Sequence, residues 1–196
     1  MAQVECAIGA IGVIGAGKVG RGIALAAAMG GYRTILEDLL PNALRRAESE
    51  FRTHLDQAIM SGRLSAEAAD ATLSRLEFAG SVEDAARQAD LVIEAGPEEL
   101  ESKIEIFTLL DKICRPGTIL VSNLWVLSIT EIARVTYRAR NCVGMRFAAE
   151  AEVGNRLEII RGRETDDDTL ATAVEVGERL GREVLVIKDT ALAVLR

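Results

Sequence analysis

The stretch IGVIGAGKVGRGIA, residues 11–24, decides the fold class, because an apolar run breaks into glycines and then resumes as small helix-forming residues. Gly15, Gly17 and Gly20 have the G-x-G-x-x-G spacing of a strand, a tight turn and a helix start. The first glycine permits the turn, the second lets a pyrophosphate approach the backbone, and the third lets helix and strand pack closely. The helix begins near Lys18, and the unpaired N–H groups of its first turn suit a phosphate. The stretch therefore predicts a unit that binds the pyrophosphate of a dinucleotide.

The composition indicates one globular domain that does not bind nucleic acid or membranes. The 196 residues, 49% hydrophobic and 27% charged, suffice for a single core, so we expect one domain over residues 1–196. The formal net charge of -7 repels nucleic acid and anionic membranes, although a local basic pocket stays open. The uncharged N-terminal run is too short and glycine-rich for a signal peptide or a spanning helix.

Cysteine and histidine usage indicates a reducing compartment and no metal. Cys6, Cys114 and Cys142 are far apart and include no C-x-x-C pair, so we expect core thiols in a cytoplasmic protein. His54 is the only histidine and lies in a helix-like stretch. That excludes His-rich metal sites and argues against a Ser-His-Asp triad.

Alternating strands and helices predict an α/β fold with a doubly wound, mostly parallel sheet of the Rossmann type. Strands are predicted at residues 7–15, 32–36, 76–79, 90–95, 118–122, 141–147, 156–160 and 184–187. Helices are predicted at residues 18–29, 41–60, 65–76 and 100–113, with short ones capped at 81 and 128. The pair at about 41–76 is a helical hairpin inserted after the second strand, longer than a simple crossover needs.

The last predicted helix starts with the acidic run DDD, residues 166–168. Thr165 and Asp168 form its predicted cap. Aspartates in a first helical turn complement the helix dipole, so we interpret the run as surface and not as a metal site.

Ligands of such sheets bind at the carboxyl ends of the strands. That edge gathers the glycine turn, Asp38, residues 95–98, and Ser122 with Asn123. Asp38 follows the glycines by about 20 residues, where an acid that binds the ribose belongs. Its charge would repel a 2′-phosphate, which favours NAD over NADP.

With these elements in place, the sequence resembles the dinucleotide-binding domain of the 3-hydroxyacyl-CoA dehydrogenases over almost its whole length. The resemblance rests on motifs that occur in the order and at the spacing of that family. They are IGVIGAGKVGRGIA, DLVIEAGPEELESKIEIFTLLD, TILVSN, SITEIA, VGMRF, LEIIRG and VIKDT.

The resemblance implies NAD as cofactor and assigns residues to it. Asp38 would bind the adenosine ribose, Glu98 and Lys103 would lie near the nicotinamide ribose, and Asn123 near the nicotinamide. The full set of implied cofactor residues is Gly15, Gly17, Lys18, Val19, Gly20, Asp38, Ala95, Glu98, Lys103 and Asn123.

The implied catalytic positions, Arg146, Glu158 and Ser122, depart from the family pattern. In the family, the strand that corresponds to VGMRF, residues 143–147, carries a histidine that takes the proton of the substrate hydroxyl. A glutamate on the neighbouring strand orients this histidine. Arg146 occupies the histidine position, whereas Glu158 keeps the glutamate. A guanidinium offers only donors, so it cannot be the general base. In addition, Trp125 replaces a substrate-binding serine, and residues 149–150 replace Asn-Pro.

Two interpretations of Arg146 stay open. It forms a structural ion pair with Glu158, which we favour, or it clamps an anionic substrate. Three functions stay open accordingly: an NAD-dependent oxidoreductase with altered or lost activity, a catalytically silent NAD-binding module, and the N-terminal domain of a longer dehydrogenase.

The expected partners follow from the same reasoning. We expect a small-molecule substrate, such as an acyl thioester. We also expect a homo-oligomer or a separate helical partner that covers apolar residues around 191–195.

Overall fold

The computed structural model describes residues 8–147 and 155–189. The strands are β1 Ala10–Ile14, β2 Arg33–Glu37, β3 Leu76–Ala79, β4 Leu91–Glu94, β5 Ile119–Asn123, β6 Cys142–Phe147, β7 Arg156–Arg161 and β8 Glu183–Lys188. The helices are α1 Lys18–Met29, α2 Pro41–Met60, α3 Ala66–Ser74, α4 Val82–Ala86, α5 Leu100–Ile113, α6 Ile129–Ala133 and α7 Asp167–Arg179, with a 3₁₀ turn at Ala139–Asn141.

The eight strands form one sheet in the order β3-β2-β1-β4-β5-β6-β7-β8. All neighbouring strands are parallel except β6 and β7, which are antiparallel. The predicted doubly wound, mostly parallel sheet is therefore confirmed. The strand order reverses between β1 and β4, and ligands of doubly wound sheets bind at such a point, at the carboxyl ends of the strands.

Two apolar layers cover the sheet. One layer contains buried residues of α1, α2 and α7, and the other contains buried residues of α4, α5 and α6. Every residue of β1, β4 and β5 is buried, which explains why these strands are apolar except at the carboxyl ends of β4 and β5, where Glu94, Ser122 and Asn123 lie.

The helical hairpin after β2 consists of α2 and α3. Helix α2 has the predicted bounds, because Pro41 fits its first turn and its buried face recurs at helical spacing. Phe51 on that face stacks on Phe78 of β3, with ring centroids 6.3 Å apart. Helix α3 ends two residues earlier than predicted, because Leu76 pairs with Thr34 in the sheet.

The predicted cap of the last helix is wrong by one residue. Asp166 is the N-cap of α7, and its side chain accepts a hydrogen bond from the backbone N–H of Thr169. Thr165 is buried instead, and its hydroxyl donates to the carbonyl of Cys142 at 2.6 Å. Because the hydroxyl of Thr165 binds to a carbonyl of β6, the next residue, Asp166, caps the helix.

The described cysteines are core thiols, as predicted. Cys114 and Cys142 are free and buried, and burial raises their pKa values to about 11 and about 12. Within residues 8–147 and 155–189 no group of acidic, cysteine or histidine side chains could hold a metal ion. No helix in these ranges is long and apolar enough to cross a membrane. Cys6, residues 149–150 and residues 191–195 lie outside the described residues.

Candidate dinucleotide and catalytic site

The glycine turn has the geometry that its three glycines predict. Gly15 has a φ of 103°, which favours glycine, and its N–H donates to the carbonyl of Glu37 at 2.9 Å. A Cβ on Gly20 would lie 1.9 Å from the carbonyl oxygen of Gly15. At Gly17, by contrast, no described atom outside the glycine and its two chain neighbours lies within 4 Å of the position that a Cβ would occupy, so the space above the turn is open.

The start of α1 is suited to an anion. Gly17 is the N-cap residue and makes no side-chain cap, and the described first turn contains no acidic residue. Lys18 and Val19 of this turn are exposed. The N–H groups and the positive end of the helix dipole therefore face the open space.

Arg21 adds positive charge to the turn, and no sequence motif singled it out. Its Nη1 donates to the carbonyl of Ala16 at 2.7 Å, and its Nε donates to Glu50 of α2 at 2.7 Å. The only sequence signal was an arginine within an otherwise small-residue helix. The arginine ties the turn to α2.

Asp38 directly follows β2 and holds the other side of the turn. Its Oδ2 accepts a hydrogen bond from the N–H of Ala16, and its Oδ1 accepts one from the N–H of Leu40, both at 2.9 Å. The carboxylate is thus fixed beside the glycine turn, where the sequence places the ribose-binding acid.

Glu37, the residue before Asp38, is a buried carboxyl that no sequence pattern indicated. It is only 2% exposed, and its Oε1 has no hydrogen-bond partner among the described residues. Burial, with a smaller contribution from the charge of Asp38, raises the pKa of Glu37 to about 7.

A buried polar cluster lies under the middle of the carboxyl edge. Lys103 Nζ donates to Glu94 Oε2 at 2.7 Å and to the carbonyl of Asn123 at 2.9 Å. Ser122, which the sequence proposes as catalytic, is fully buried, and its hydroxyl donates to the same Glu94 oxygen at 2.6 Å. Glu94 Oε1 accepts from the N–H of Gly96. The cluster fixes the ends of β4 and β5 from below.

Asn123 and Ala95 complete this part of the edge. Asn123 is buried, and its Oδ1 accepts a weak hydrogen bond from the N–H of Phe147 at 3.4 Å. Ala95 directly follows β4, and its N–H donates to the carbonyl of Ile14. Its carbonyl oxygen would lie 3.2 Å from a Cβ on Gly15, so Ala95 closes one side of the turn.

Glu98 holds the loop that follows β5, residues 124–127, which we call the tryptophan loop. Its Oε1 accepts hydrogen bonds from the N–H groups of Trp125, Val126 and Leu127 at 2.8, 2.9 and 3.1 Å. Its Oε2 lies 4.0 Å from Lys103 Nζ. No spacing in the sequence indicated that one carboxylate oxygen would bind three consecutive amides.

Arg146 holds the same loop from the other side. Its Nη1 pairs with Glu158, the residue opposite it on β7. Its Nε donates to the carbonyl of Leu124 at 3.2 Å, and its Nη2 donates to the carbonyl of Trp125 at 2.9 Å. All three guanidinium nitrogens therefore have protein partners, and both members of the ion pair are half-buried.

The chain matches the family model described as "3-hydroxyacyl-CoA dehydrogenase, NAD binding domain" over residues 10–190. The protein belongs to the 3-hydroxyacyl-CoA dehydrogenase family. It is 35% identical over 177 residues to a probable 3-hydroxybutyryl-CoA dehydrogenase of Bacillus subtilis, covering 90% of this chain and 61% of that protein. It is 38% identical over 170 residues to 3-hydroxyadipyl-CoA dehydrogenase of Escherichia coli, covering 87% of this chain and 34% of that one.

Solved structures of the family have the same fold. The crystal structure of (S)-3-hydroxybutyryl-CoA dehydrogenase from Ralstonia eutropha superposes with a TM-score of 0.89 at 32% identity. That match covers 94% of this chain and 65% of that chain. The chain thus spans less than two thirds of these relatives.

The residues at the glycine turn fit the NAD of this family. The open space above Gly17, the uncapped start of α1 and the fixed carboxylate of Asp38 provide for a pyrophosphate and a ribose. NAD is therefore the cofactor of this dehydrogenase-family domain, as the sequence predicts.

Proposed function

We propose that this dehydrogenase-family protein binds NAD(H) and does not itself oxidise 3-hydroxyacyl thioesters at an appreciable rate. The observation that carries the proposal is the set of contacts of Arg146 with Glu158 and with the carbonyls of Leu124 and Trp125. The family position for proton transfer is occupied by a group that serves as a structural clamp.

The chemistry of arginine supports this proposal. NAD, when bound, supplies the hydride acceptor, but the substrate hydroxyl must also lose a proton. A guanidinium stays protonated and has no lone pair to accept that proton. Loss of a positioned base costs roughly 10²- to 10⁴-fold in rate.

The anion-clamp alternative for Arg146 is less well supported. Three of the five N–H groups of an arginine side chain are used within the protein here, one of them on a carboxylate. An anionic substrate would have to compete with Glu158 for the guanidinium. The structural ion pair that the sequence favours accounts for these contacts.

Trp125 adds a second obstacle. The residue is 40% exposed, and its backbone is held by Glu98 at the N–H and by Arg146 at the carbonyl. A large apolar ring therefore stands on a fixed loop at the position where the family pattern has a serine. The loop cannot move aside without breaking hydrogen bonds on both of its sides.

The remaining assigned residues receive positioning roles. We assign Ser122 and Lys103 to the buried support of the site, because both bind Glu94 and neither reaches the surface. Glu98 and Asn123 are assigned to the border between the tryptophan loop and the nicotinamide end of the site. An acyl thioester, as named for the relatives, is the substrate class to test, and we propose a cytoplasmic location.

The test combines binding and turnover. Thermal unfolding with and without millimolar NAD should show stabilisation, because NAD binds only the folded protein. Assays with NAD and 3-hydroxybutyryl-CoA or 3-hydroxyadipyl-CoA should give NADH at least about 100-fold more slowly than an active relative, as expected without a base. Turnover comparable to that of the relative would contradict the proposal, and the absence of stabilisation would contradict NAD binding.

A further inference from the structure

We propose that the protein has a second ligand site, a cationic cleft that binds the phosphate group of a small molecule. The cleft has a volume of about 490 Å³. It is lined by Ser128, Thr130, Glu131, Arg134, Arg161, Gly162, Arg163, Lys188 and Asp189. None of these residues belongs to the NAD site described above.

The cleft lies at the edge of the sheet opposite the glycine turn. Strand β6 is parallel to β5, so its end at Phe147 lies at the carboxyl edge and its start at Cys142 lies at the other edge. The loop after β7 reaches that start, where Thr165 donates to the carbonyl of Cys142. A ligand in the cleft therefore leaves the open space at the glycine turn free.

The charge of the cleft is opposite to that of the whole chain. Among the described residues, its lining contains four cations and two carboxylates, a net charge of +2, whereas the chain has a formal charge of -7. The cations come from separate elements: the end of α6 (Arg134), the end of β7 (Arg161), the following loop (Arg163) and the end of β8 (Lys188). The fold thus concentrates positive charge at one place on an acidic protein.

The cations of the cleft are largely available to a ligand. Arg161 pairs with Asp167, an aspartate that is 87% exposed and outside the lining. Arg134, Arg163 and Lys188 form no ion pair with any residue in the described ranges. Cations that line one cleft without carboxylate partners attract an anion, most strongly at low ionic strength.

The carboxylate of Asp189 forms no ion pair with the four cations of the cleft and binds neutral donors of the protein instead. Its Oδ2 accepts hydrogen bonds from the hydroxyl of Ser128 at 2.6 Å and from the N–H of Thr130 at 2.8 Å. It thereby ties the start of α6 to the end of β8. Its role is to fix two walls of the cleft.

The loop after β7, which contains Gly162 and Arg163, forms the third wall of the cleft and is also fixed before any ligand binds. The N–H of Gly162 donates to Thr165 Oγ1 at 3.0 Å, and the N–H of Arg163 donates to Thr130 Oγ1 at 3.1 Å. The N–H of Asp189 donates to the carbonyl of Arg161 at 2.9 Å. Because the backbone is held in this way, binding need not order the backbone of this loop, which lowers the entropic cost of binding.

The chemistry of the lining selects the ligand class. Arginine side chains bind phosphate oxygens through paired N–H donors, and lysine adds a point charge. A volume of about 490 Å³ lies within the range of roughly 300–1,000 Å³ of small-molecule sites. A phosphate or diphosphate ester of a small metabolite meets both conditions.

The experiment uses inorganic pyrophosphate as the probe and isothermal titration calorimetry as the measurement. The starting protein is the Gly17→Val variant, in which the side chain obstructs the other anion site, at the glycine turn. We expect pyrophosphate to bind this variant at one site. Adding Arg163→Ser and Lys188→Ser should weaken that binding at least about tenfold, since two charge-assisted contacts are lost.

The matched control is Arg87→Ser with Lys112→Ser in the same Gly17→Val protein. It removes the same charge from exposed positions outside the cleft, and it should leave pyrophosphate affinity within about twofold. Circular dichroism and thermal unfolding verify that each variant is folded. The proposal is overturned if the Gly17→Val protein does not bind pyrophosphate, or if the control variant loses as much affinity as the cleft variant.

Discussion

The glycine turn and the tryptophan loop both lie at the carboxyl edge of the sheet, yet they use their polar groups in opposite ways. At the turn, the start of α1 has no side-chain cap and the space above Gly17 is open. At the loop, Glu98 binds three amides and Arg146 binds two carbonyls and Glu158. Polar groups that are left available can bind a ligand, whereas those that are satisfied within the protein provide rigidity.

On our proposal, this difference separates cofactor binding from catalysis along one edge of the sheet. The part of the molecule that we propose to bind NAD keeps the three glycines and the aspartate of the family pattern. The catalytic half retains Glu158 but pairs it with a cation that cannot accept a proton. Family membership therefore predicts the ligand here more firmly than the reaction.

The largest expected effect concerns the buried cluster that supports both halves. Lys103→Met should reduce the free energy of unfolding by about 3–5 kcal/mol, because it leaves the Glu94 charge buried and unpaired. Urea unfolding measures the change. The double variant Glu94→Gln with Lys103→Met removes the orphaned charge and should recover a substantial part of the loss. If the double variant is no more stable than Lys103→Met, the unpaired charge of Glu94 is not the cause of the destabilisation.

Gly17→Val tests the glycine turn, where the protein leaves space for a ligand. The new side chain fills space that the protein leaves free, so NAD affinity should fall at least about 100-fold, or about 2.7 kcal/mol, with the melting temperature nearly unchanged. Gly22→Ala, at an exposed position of the same helix that is equally open, is the control and should bind NAD normally. Gly20→Ala should instead destabilise the protein, because its Cβ would meet the Gly15 carbonyl. Unchanged NAD affinity in Gly17→Val would place the cofactor elsewhere.

Arg146→Met tests the tryptophan loop, where the polar groups form hydrogen bonds within the protein. The free energy of unfolding should fall by about 1–3 kcal/mol, because Glu158 loses its partner and two carbonyls lose their donor. Hydrogen exchange at the amides of residues 125–127 should become faster. Arg33→Met, which breaks an exposed pair with Glu77, should cost less than about 1 kcal/mol and leave those amides protected. Unaltered exchange in Arg146→Met would mean that Glu98 alone holds the loop.

The smallest expected effect is a pH dependence from Glu37. The folded state raises its pKa from 4.5 to about 7, so the folded protein binds its proton more tightly than the unfolded chain. The stability that this carboxyl contributes is therefore full below about pH 4.5 and is lost as the pH rises through about 7. Against Glu37→Gln, which does not titrate, the wild type should lose about 1–2 kcal/mol between about pH 6 and 8.

The control for Glu37 is Glu77→Gln on the neighbouring strand. A hydrogen bond from Arg33 lowers the pKa of Glu77, so this carboxyl does not titrate in the tested pH range, and Glu77→Gln should still lose stability at higher pH as the wild type does. Urea unfolding of the three proteins at both pH values makes the comparison. A difference between wild type and Glu37→Gln that does not change with pH would contradict the assignment.

Features that depend on local pattern were predictable from the sequence. Helices α1 and α2 have the predicted bounds, because glycines or a proline mark their ends and their apolar faces repeat at helical spacing. The glycine turn and Asp38 also lie together, because a strand-turn-helix unit brings the end of β2 to the turn. Family resemblance supplied the positions of Arg146 and Glu158, and the register confirms that they face each other.

Features that depend on contacts across the chain were not predictable. The burial of Glu37, the pairing of Glu94 with Lys103 and the capture of three loop amides by Glu98 depend on how separate strands and helices pack. The cationic cleft combines residues between 128 and 189 from four elements. Side-chain competition likewise shifted the cap of α7, because Thr165 bonds to the sheet.

The most direct test of NAD binding without turnover is a single-turnover measurement with excess protein. Trp125 is the only tryptophan, so energy transfer from it to bound NADH reports reduced cofactor at the site. Added NADH should quench Trp125 fluorescence in a saturable way, whereas NAD with 3-hydroxybutyryl-CoA should produce no quenching beyond that of NAD alone. A burst of quenching and NADH absorbance after mixing NAD with 3-hydroxybutyryl-CoA would contradict the account.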